Sequence, residues 1–204
     1  MPEDLFDRYA EEYDRWFEEH PDEYHAELAW IRRVIPPIDS RAIEVGVGSG
    51  RFAAPLGIRL GIEPSRALGR MARRRGIEII RGRAESIPIR NGSCSFVLLV
   101  TVICFLDDPP LAFRELHRIL APRGILVLLF IERGGRLART YLHGGGNQRF
   151  LSRARFYSSG EVKEFLKDGY LVISVESRAG LSVIVAQKEP DNKNRQVAAN
   201  SGLS

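Results

Sequence analysis

The chain has 204 residues, a formal net charge of +4 and hydrophobic residues at 44% of its positions. A chain of this length typically forms one domain and buries roughly 70% of the surface that it exposes when unfolded. No apolar run approaches the roughly 20 residues that span a bilayer, and the acidic N-terminus differs from a signal peptide, so we expect a cytoplasmic protein without a membrane partner. The two cysteines, Cys94 and Cys104, provide neither a disulfide framework nor a Cys-x-x-Cys metal site.

The charges are distributed unevenly along the chain. Residues 1–30 carry eleven acidic and two basic side chains, whereas residues 133–155 hold six arginines and no acid. A nucleic-acid-binding surface favours a long basic stripe with interleaved aromatic residues. Because the basic segment is short and an acidic segment is present to neutralise it, we expect the two segments to screen each other, and we do not expect nucleic acid as a partner.

The chain begins with a predicted helix over residues 5–34 that is interrupted near Pro21 and ends at Pro36 and Pro37. The first part of this helix carries an aromatic-rich face whose members recur at helical spacing: Leu5, Tyr9, Tyr13, Trp16 and Phe17.

From residue 42 onward, short apolar runs alternate with polar, helix-compatible stretches, which is typical of βαβ units and a parallel sheet. The predicted strands cover residues 42–45, 59–63, 78–81, 96–101, 125–131, 171–175 and 183–187. The main predicted helices cover residues 65–75, 110–120 and 159–167, with N-caps at Ser65, Asp108 and Ser159. A Gly- and Arg-rich insertion is expected at residues 133–157, and a disordered tail at residues 188–204.

A glycine-rich loop follows the first predicted strand, in the run Glu44-Val45-Gly46-Val47-Gly48-Ser49-Gly50. Its three glycines allow a tight turn and let a ligand lie against the backbone. The helix N-terminus behind the loop favours a negative group such as a carboxylate. A dinucleotide fingerprint, G-x-G-x-x-G/A, needs a small residue at position 51, where this chain has Arg51. The loop therefore indicates a ligand other than a dinucleotide.

A second signal is Glu63, which ends the second predicted strand in the run Gly61-Ile62-Glu63-Pro64-Ser65. A carboxylate at this position can accept both hydroxyl groups of a ribose. The alternative is a surface glutamate that the dipole of the next helix stabilises by up to about 1 kcal/mol. Considered alone, Glu63 leaves both interpretations open; together with the glycine loop, it favours ribose binding.

Residues 42–130 resemble the class I S-adenosylmethionine-dependent methyltransferases, in the small-molecule branch that includes ubiquinone/menaquinone-type enzymes. Residues 82–89, GRAESIPI, resemble the family's G-x-A-E-x-L-P segment, and residues 95–101 resemble its fourth strand. Residues 113–124 are similar to its E-x-x-R-x-L-K-P-G-G segment, and residues 6–17 are similar to the lid helix of this branch. With these motifs the resemblance extends over residues 5–187.

The resemblance implies an α/β fold with a doubly wound, mostly parallel, seven-stranded Rossmann-like sheet whose last strand is antiparallel. Helices should cover both faces of this sheet, and residues 1–37 should form a helical lid. The resemblance also implies one methyltransferase domain over residues 1–187. We expect the acidic lid to close against the arginine-rich insertion when the cofactor binds.

The implied cofactor is S-adenosylmethionine, which becomes S-adenosylhomocysteine after transfer. By resemblance, Glu44 and the loop backbone should hold its methionine end, Glu63 its ribose, and the segment at Ala84 its adenine. Arg83 stands where many relatives have an acid, which leaves the contact to the adenine amino group open. The expected cofactor-binding residues are Glu44, Gly46, Gly48, Gly50, Glu63, Pro64, Ala84, Glu85, Val100 and Thr101.

The implied activity is methyl transfer to a small-molecule acceptor through an N, O, S or C atom that the sequence does not identify. No residue is evident as a general base, which methyl transfer tolerates because positioning and exclusion of water supply much of the catalysis. The expected acceptor site is lined by aromatic side chains and by the histidine of the insertion: Tyr9, Tyr13, Trp16, Phe105 and His143. No metal is expected, because only Glu132 offers a carboxylate after the fifth strand.

Two other functions and the oligomeric state stay open. A catalytically silent, cofactor-binding subunit could keep all of these motifs, since a fold does not guarantee turnover. A nucleic-acid methyltransferase could use the arginines of residues 133–155 on phosphates. The run Asp108-Pro109-Pro110-Leu111 resembles the motif of DNA amino-methyltransferases, but its fourth residue is not an aromatic that could stack on a flipped base. We therefore interpret Asp108 as a helix cap.

Overall fold

Within the residues that it describes, 2–142, 148–151 and 154–190, the computed structural model contains one seven-stranded sheet. Its strands are β1 (Ala42–Val45), β2 (Leu60–Ile62), β3 (Glu78–Ile80), β4 (Cys94–Val100), β5 (Leu120–Ile131), β6 (Tyr170–Arg178) and β7 (Leu181–Lys188). The strand order is β3-β2-β1-β4-β5-β7-β6. Strands β1 to β5 pair in parallel, and β7 pairs antiparallel with both β5 and β6. The doubly wound α/β fold is confirmed.

The main predicted helices are present, and the insertion at residues 133–157 contains further helices among its described residues. The described helices are α1 (Pro2–Arg8), α2 (Ala10–Glu19), α3 (Pro21–Val34), α4 (Ala53–Leu56), α5 (Arg66–Arg74), α6 (Pro109–Ile119), α7 (Arg136–Leu142), α8 (Gln148–Leu151) and α9 (Ser159–Leu166), with a 3₁₀ turn at Ile103–Phe105. The predicted N-terminal helix is divided at Tyr9 as well as near Pro21. None of the described helices is both long enough and apolar enough to cross a membrane.

The core explains why the central strands are mostly apolar. Successive residues of β5 enter different clusters: Leu126 and Leu128 pack with helices α6 and α9, whereas Val127 and Leu129 pack with the N-terminal helices. Because side chains alternate along a strand and helices cover both faces, all four positions of β1 and residues 126–131 of β5 are buried. The continuous apolar run thus reflects a two-sided core.

Two local predictions need correction. The last helix is capped by Ser158, not Ser159: the Ser158 hydroxyl accepts the N–H of Glu161, whose carboxylate accepts the N–H of Ser158. This is a capping box with Ser-x-x-Glu spacing, and only Ser158 has the glutamate three residues later. Strand β5 begins earlier than predicted, because Leu120 pairs with Cys94 ahead of the turn at Arg123, whose φ is 62°.

The strand that was expected to end at residue 187 includes Lys188. The Lys188 ammonium donates hydrogen bonds of 2.8 Å to the carbonyls of His117 and Leu120 at the end of α6. The rest of the expected tail, from residue 191, lies outside the described residues, as does the central part of the insertion at 143–147.

Candidate active site

A cavity opens at the carboxyl ends of the parallel strands, where the strand order reverses between β1 and β4. Connections leave the sheet in opposite directions at such a point, and the crevice between them is where ligands bind in this class of fold. Of the expected cofactor-binding residues, eight line the cavity: Gly46, Gly48, Glu63, Pro64, Ala84, Glu85, Val100 and Thr101. Of the expected acceptor-binding residues, Tyr13, Trp16 and Phe105 line it.

The glycine loop lies flat against this cavity. The N–H groups of Gly46 and Val47 both donate to the carbonyl of Ile62, at 2.8 and 3.0 Å, and so tie the loop to β2. A Cβ atom on Gly46 would lie 2.4 Å from a methyl group of Val102, and one on Gly48 would lie 3.4 Å from the Tyr13 hydroxyl. Because both glycines also have positive φ values, 71° and 56°, a side chain at either position would be strained. The backbone is therefore accessible to a ligand.

Gly50 does not line the cavity and has a different role from the other two glycines. Its φ is +84°, and a Cβ atom on it would lie 3.2 Å from both the Cα and the Cβ atoms of Ala72 on α5. Gly50 thus allows the loop to pack closely on a neighbouring helix, which is a requirement of folding.

We expect Gly50→Ala to lower the free energy of unfolding by about 3 kcal/mol, by combining left-handed backbone strain with overpacking. Gly57 provides a matched control, because its φ is +80° but a Cβ atom on it would have no neighbour within 4 Å. Gly57→Ala should therefore cost only the strain, about 1 kcal/mol. Urea unfolding of both variants measures the difference; equal losses would contradict the packing role of Gly50.

Glu63 joins the glycine loop to the end of β2. Its carboxylate is buried and accepts the N–H of Gly48 on Oε2 and the N–H of Ser65 on Oε1, both at 2.8 Å. Each oxygen of a carboxylate can accept two hydrogen bonds. Glu63 is therefore held rigidly by the backbone, with its carboxylate at the cavity wall.

Glu44 lies beneath the loop and does not line the cavity. The residue is only 1% exposed, and its Oε2 atom has no hydrogen-bond partner among the described residues. Burial raises the pKa of the Glu44 carboxyl well above its usual range; a backbone hydrogen bond from Ala53 opposes this effect, and the negative charge of Glu63 adds to it. A buried polar atom without a partner is rare in proteins and commonly indicates a missing ligand or water.

At the far end of the cavity, an ion-pair network fixes the segment that contains Ala84. The Arg83 guanidinium donates to Asp107 at 2.6 Å, and Glu85 Oε1 accepts the N–H of Asp107 at 2.9 Å. Arg83, which departs from the family's pattern, thus ties this segment to the chain that follows the 3₁₀ turn. Glu85 Oε2 also lies 3.5 Å from Arg83 Nε, so both oxygens of Glu85 are already engaged.

Thr101 is in an unusual conformation at the end of β4. Its φ is 54°, which is rare for a β-branched residue, and its N–H donates to the carbonyl of Leu129 at 2.7 Å. Backbone strain of this kind is concentrated at functional sites, where surrounding contacts hold it in place. The strain turns the chain at the cavity wall, next to Val100 and Val102.

The N-terminal helices cover the cavity, and their buried ion pairs involve the glycine loop and the residue that follows α5. Buried Asp14 on α2 accepts hydrogen bonds from Arg51, at 2.9 and 2.6 Å, and from Arg75, at 2.8 Å. Both arginines lie outside the insertion. Among the described residues of the insertion, Arg149 pairs with Glu12 at 3.4 Å, and both side chains are more than 40% exposed. The acidic segment is therefore anchored mainly to the glycine loop and α5.

The predicted acceptor residues are divided between two environments. Tyr13 contacts the rings of Phe6 and Phe150 in an aromatic cluster that also lines the cavity. Tyr9 lies outside the cavity. The guanidinium carbon of Arg149 lies over the Tyr9 ring, 4.0 Å from the ring centroid. His143 lies outside the described residues.

Two acidic residues of α3, Glu23 and Glu27, also line the cavity, and they were not predicted as site residues from the sequence. Their four-residue spacing places both carboxylates on one face of the helix, and this is the signal that could have identified them. The wall around them includes Trp16 and Tyr141. Burial, with a smaller contribution from the negative charge of Glu23, raises the pKa of Glu27 to about 7.

This pKa predicts a stability effect. A carboxyl whose folded pKa lies above its unfolded value stabilises the fold below the unfolded pKa, and this contribution is lost as the pH rises through the folded pKa. From the ordinary value of 4.5 to about 7, the loss for Glu27 is about 3 kcal/mol. Glu27→Gln does not undergo this loss. The free energy of unfolding of Glu27→Gln minus that of the parent protein should therefore be about 3 kcal/mol greater at pH 8.5 than at pH 5.

Urea unfolding at the two pH values tests this expectation. Asp22→Asn is the control, because Asp22 is an exposed acid on the same helix and does not line the cavity. Its effect should not change with pH on this scale. A pH-independent effect of Glu27→Gln would show that Glu27 is not held in a desolvated position.

Comparisons with known proteins agree with this geometry. A family model described as "Methyltransferase domain" matches residues 43–128. A solved structure of an S-adenosylmethionine-dependent methyltransferase from Thermotoga maritima, named a possible histamine N-methyltransferase, is similar to this chain with a TM-score of 0.84 and 33% identity. The similarity covers 91% of this chain and 99% of the Thermotoga chain.

Two curated relatives are uncharacterized proteins. One, from Methanocaldococcus jannaschii, is 36% identical over 164 residues, which are 80% of this chain and 79% of the relative. The other, from Mycobacterium tuberculosis strain H37Rv, is 37% identical over 171 residues, which are 82% of this chain. This chain spans only 60% of the length of the mycobacterial relative.

Proposed function

Because this chain belongs to the S-adenosylmethionine-dependent methyltransferases, we propose that it transfers a methyl group from S-adenosylmethionine to a small-molecule acceptor. The observation that carries the proposal is the joint geometry of the glycine loop and Glu63. The loop brings a backbone without side chains against the cavity, and Glu63 presents a rigid carboxylate beside it. This combination fits a ligand with both an aminoacyl group and a ribose.

The residues of the cavity fit the cofactor along its length. Glu63 would accept the ribose hydroxyls, and Ala84 and Glu85 would flank the adenine. Gly46, Gly48 and the strained backbone at Thr101 would surround the methionine portion. The unpartnered oxygen of buried Glu44 supports a polar contact beneath this portion, either direct or through a water molecule. When bound, the cofactor supplies a methyl group on a positively charged sulfur.

The protein's own contribution is to orient the acceptor and to exclude water. Tyr13 and Phe105 form an apolar wall that a neutral thioether product prefers, and the N-terminal helices cover the opening. Holding two reactants in line removes much of the entropic barrier to their reaction. Such a site needs little acid–base chemistry from the protein when the attacking atom carries a free electron pair.

We also propose that the protein belongs to the small-molecule branch that resembles ubiquinone/menaquinone-type enzymes. The support is the N-terminal helical cover, which encloses a cavity bordered by aromatic side chains. The name of the Thermotoga structure points in the same direction, since histamine is a small molecule. The resemblance to ubiquinone/menaquinone-type enzymes lies in the order of motifs along the chain. The identity of the acceptor depends on the chemistry of the cavity.

Isothermal titration calorimetry of the purified chain with S-adenosylmethionine, S-adenosylhomocysteine and NAD tests the assignment. We expect saturable binding of the first two at micromolar to millimolar concentrations and no binding of NAD. The absence of heat with both sulfur ligands, or a preference for NAD, would overturn the proposal.

Turnover separates the enzyme from its alternatives. Release of S-adenosylhomocysteine that depends on an added small acceptor supports an enzyme, whereas cofactor binding without consumption with any acceptor indicates a silent subunit. A nucleic-acid methyltransferase would instead bind DNA or RNA with an affinity that falls steeply as salt increases. A crystal structure with S-adenosylhomocysteine would then show which side chains border the sulfur.

A further inference from the structure

We propose that the methyl acceptor is a small amine, and that Glu27 binds its ammonium group and accepts its proton. The inference rests on the proposed function and specifies the acceptor. It starts from the distribution of charge along the cavity. Among the described lining residues, the basic side chain is Arg83, at the adenine end and already paired with Asp107. Glu23 and Glu27 lie among the aromatic residues of α2, α3 and α7 at the other end.

The contacts of Glu27 leave its carboxylate available to a ligand. The side chain lines the cavity, is partly buried, and makes no hydrogen bond or ion pair to another described residue. Glu63 and Glu85, which also line the cavity, both accept backbone N–H groups. A desolvated carboxylate that lacks such support is costly unless a cation or a hydrogen-bond donor compensates it. Glu27 therefore has the properties of a residue that is satisfied by its ligand.

The surrounding walls favour an organic cation over a metal ion. Trp16, Phe17 and Tyr141 contribute aromatic rings to this end of the cavity, and Leu137 and Leu181 contribute aliphatic groups. Aromatic faces attract ammonium groups, and apolar walls accommodate the carbon skeleton that such a group carries. The described residues contain no group of three or more His, Cys, Asp or Glu side chains that could hold a metal ion. Carboxylate or phosphate acceptors would be repelled by the two glutamates.

An amine acceptor also explains why this site needs a base. An alkylamine resembles the lysine side chain, whose pKa is about 10.4, so at neutral pH it is protonated and has no electron pair with which to attack. Transfer of the proton from the ammonium nitrogen to a Glu27 oxygen leaves a neutral amine with a free pair and a neutral carboxyl group. A general base works best when its pKa is near the working pH, and the raised pKa of Glu27, about 7, meets this condition.

Two neighbouring groups influence the titration of Glu27. Glu23, one turn earlier on α3, raises the pKa of Glu27 through its negative charge. Tyr141 on α7 faces both glutamates, and burial followed by their charges raises the pKa of its hydroxyl, so Tyr141 stays neutral. Binding of an amine should therefore strengthen as the pH rises through about 7, because Glu27 then becomes charged.

The test uses the full chain saturated with S-adenosylhomocysteine, whose binding is measured first. The probes are three matched sets: butylamine with butanol and butyrate, 2-phenylethylamine with 2-phenylethanol and phenylacetate, and cyclohexylamine with cyclohexanol and cyclohexanecarboxylate. Calorimetry at pH 6 and pH 8 gives the dissociation constants. We expect at least one amine to bind tenfold or more tightly than its alcohol and its carboxylate at pH 8, with a smaller preference at pH 6.

Glu27→Gln should abolish this preference and flatten its pH dependence while leaving S-adenosylhomocysteine binding unchanged, which also shows that the variant is folded. Asp22→Asn, an exposed change of the same charge on the same helix, should keep the preference. The proposal is overturned if no amine exceeds its alcohol, if a carboxylate binds best, or if Glu27→Gln retains the preference. Failure of S-adenosylhomocysteine to bind at all would instead contradict the proposed function.

Discussion

Glu63→Gln should weaken the binding of S-adenosylhomocysteine by about 100-fold. A hydrogen bond to a charged group contributes about 1.5–3 kcal/mol, and a loss of about 2.7 kcal/mol corresponds to 100-fold in affinity. The substitution has a second cost in the free protein. Both oxygens of Glu63 accept backbone N–H groups, so the new amide must direct its own N–H₂ toward the N–H of either Gly48 or Ser65. The loop would then move away from the position that suits the ligand.

The measurement is calorimetry with S-adenosylhomocysteine, accompanied by urea unfolding to verify the fold. Glu78→Gln is the matched control, because Glu78 is an exposed glutamate on the neighbouring strand β3 and does not line the cavity. It should leave the affinity within about twofold, as expected for a change that removes no contact with the ligand. Equal affinities of Glu63→Gln and the parent protein for S-adenosylhomocysteine would contradict a role of Glu63 in binding the ribose.

The parts of the site that the sequence predicted are those determined by short stretches of chain. Gly46 and Glu63 each lie directly after a strand, Gly48 lies in the same loop as Gly46, and parallel strands bring their carboxyl ends to one edge of the sheet. Local spacing therefore fixes their proximity. Asp108 is a similar case, because its carboxylate accepts the N–H of Leu111 three residues later, which confirms the helix cap.

The acceptor end was not predictable in the same way. It is assembled from α2, α3, α7 and the ends of β5 and β7, which are distant in sequence. The spacing of Glu23 and Glu27 places them on one helix face, but a glutamate in a helix is usually exposed, and the cavity that Glu27 lines is formed with residues distant in sequence, such as Tyr141 on α7. Tyr9 had the helical spacing of its aromatic neighbours, but the break between α1 and α2 removes it from their face.

Arg51 shows how a residue can count against one function and still have a structural role. Arg51 excludes a dinucleotide-binding loop, because such a loop needs a small residue at this position. In the structure, Arg51 extends from the glycine loop to Asp14 on the helix that covers the site, and its own carbonyl accepts the Tyr24 hydroxyl at 2.6 Å. Position 51, where a dinucleotide-binding loop needs a small residue, instead connects the glycine loop to helix α2.

Asp14→Ala should therefore have the largest effect on stability, lowering the free energy of unfolding by about 4 kcal/mol. The Asp14 side chain is only 10% exposed and binds both Arg51 and Arg75, so its removal takes a buried anion from two partly buried guanidinium groups and leaves Arg51 paired with the more exposed Glu18. Glu12→Ala removes an acid from the same helix, but its pair with Arg149 is exposed. This control should cost less than about 1 kcal/mol, as exposed pairs do. Similar losses for the two variants in urea unfolding would contradict the anchoring role of Asp14.

The same ion pairs predict an acid limit to stability. Burial alone would raise the pKa of Asp14, but hydrogen bonds from arginines, with Arg51 first, hold it at about 2. A carboxyl with a depressed folded pKa stabilises the fold above its unfolded pKa and loses this contribution as the pH falls through the folded value. From the ordinary 3.8 to about 2, the loss is about 2 kcal/mol in the parent protein, and it should be absent in Asp14→Ala. Hydrogen exchange at pH 3 should then reveal early opening of residues 10–19, because the helix that covers the cavity is held to the glycine loop through this carboxylate.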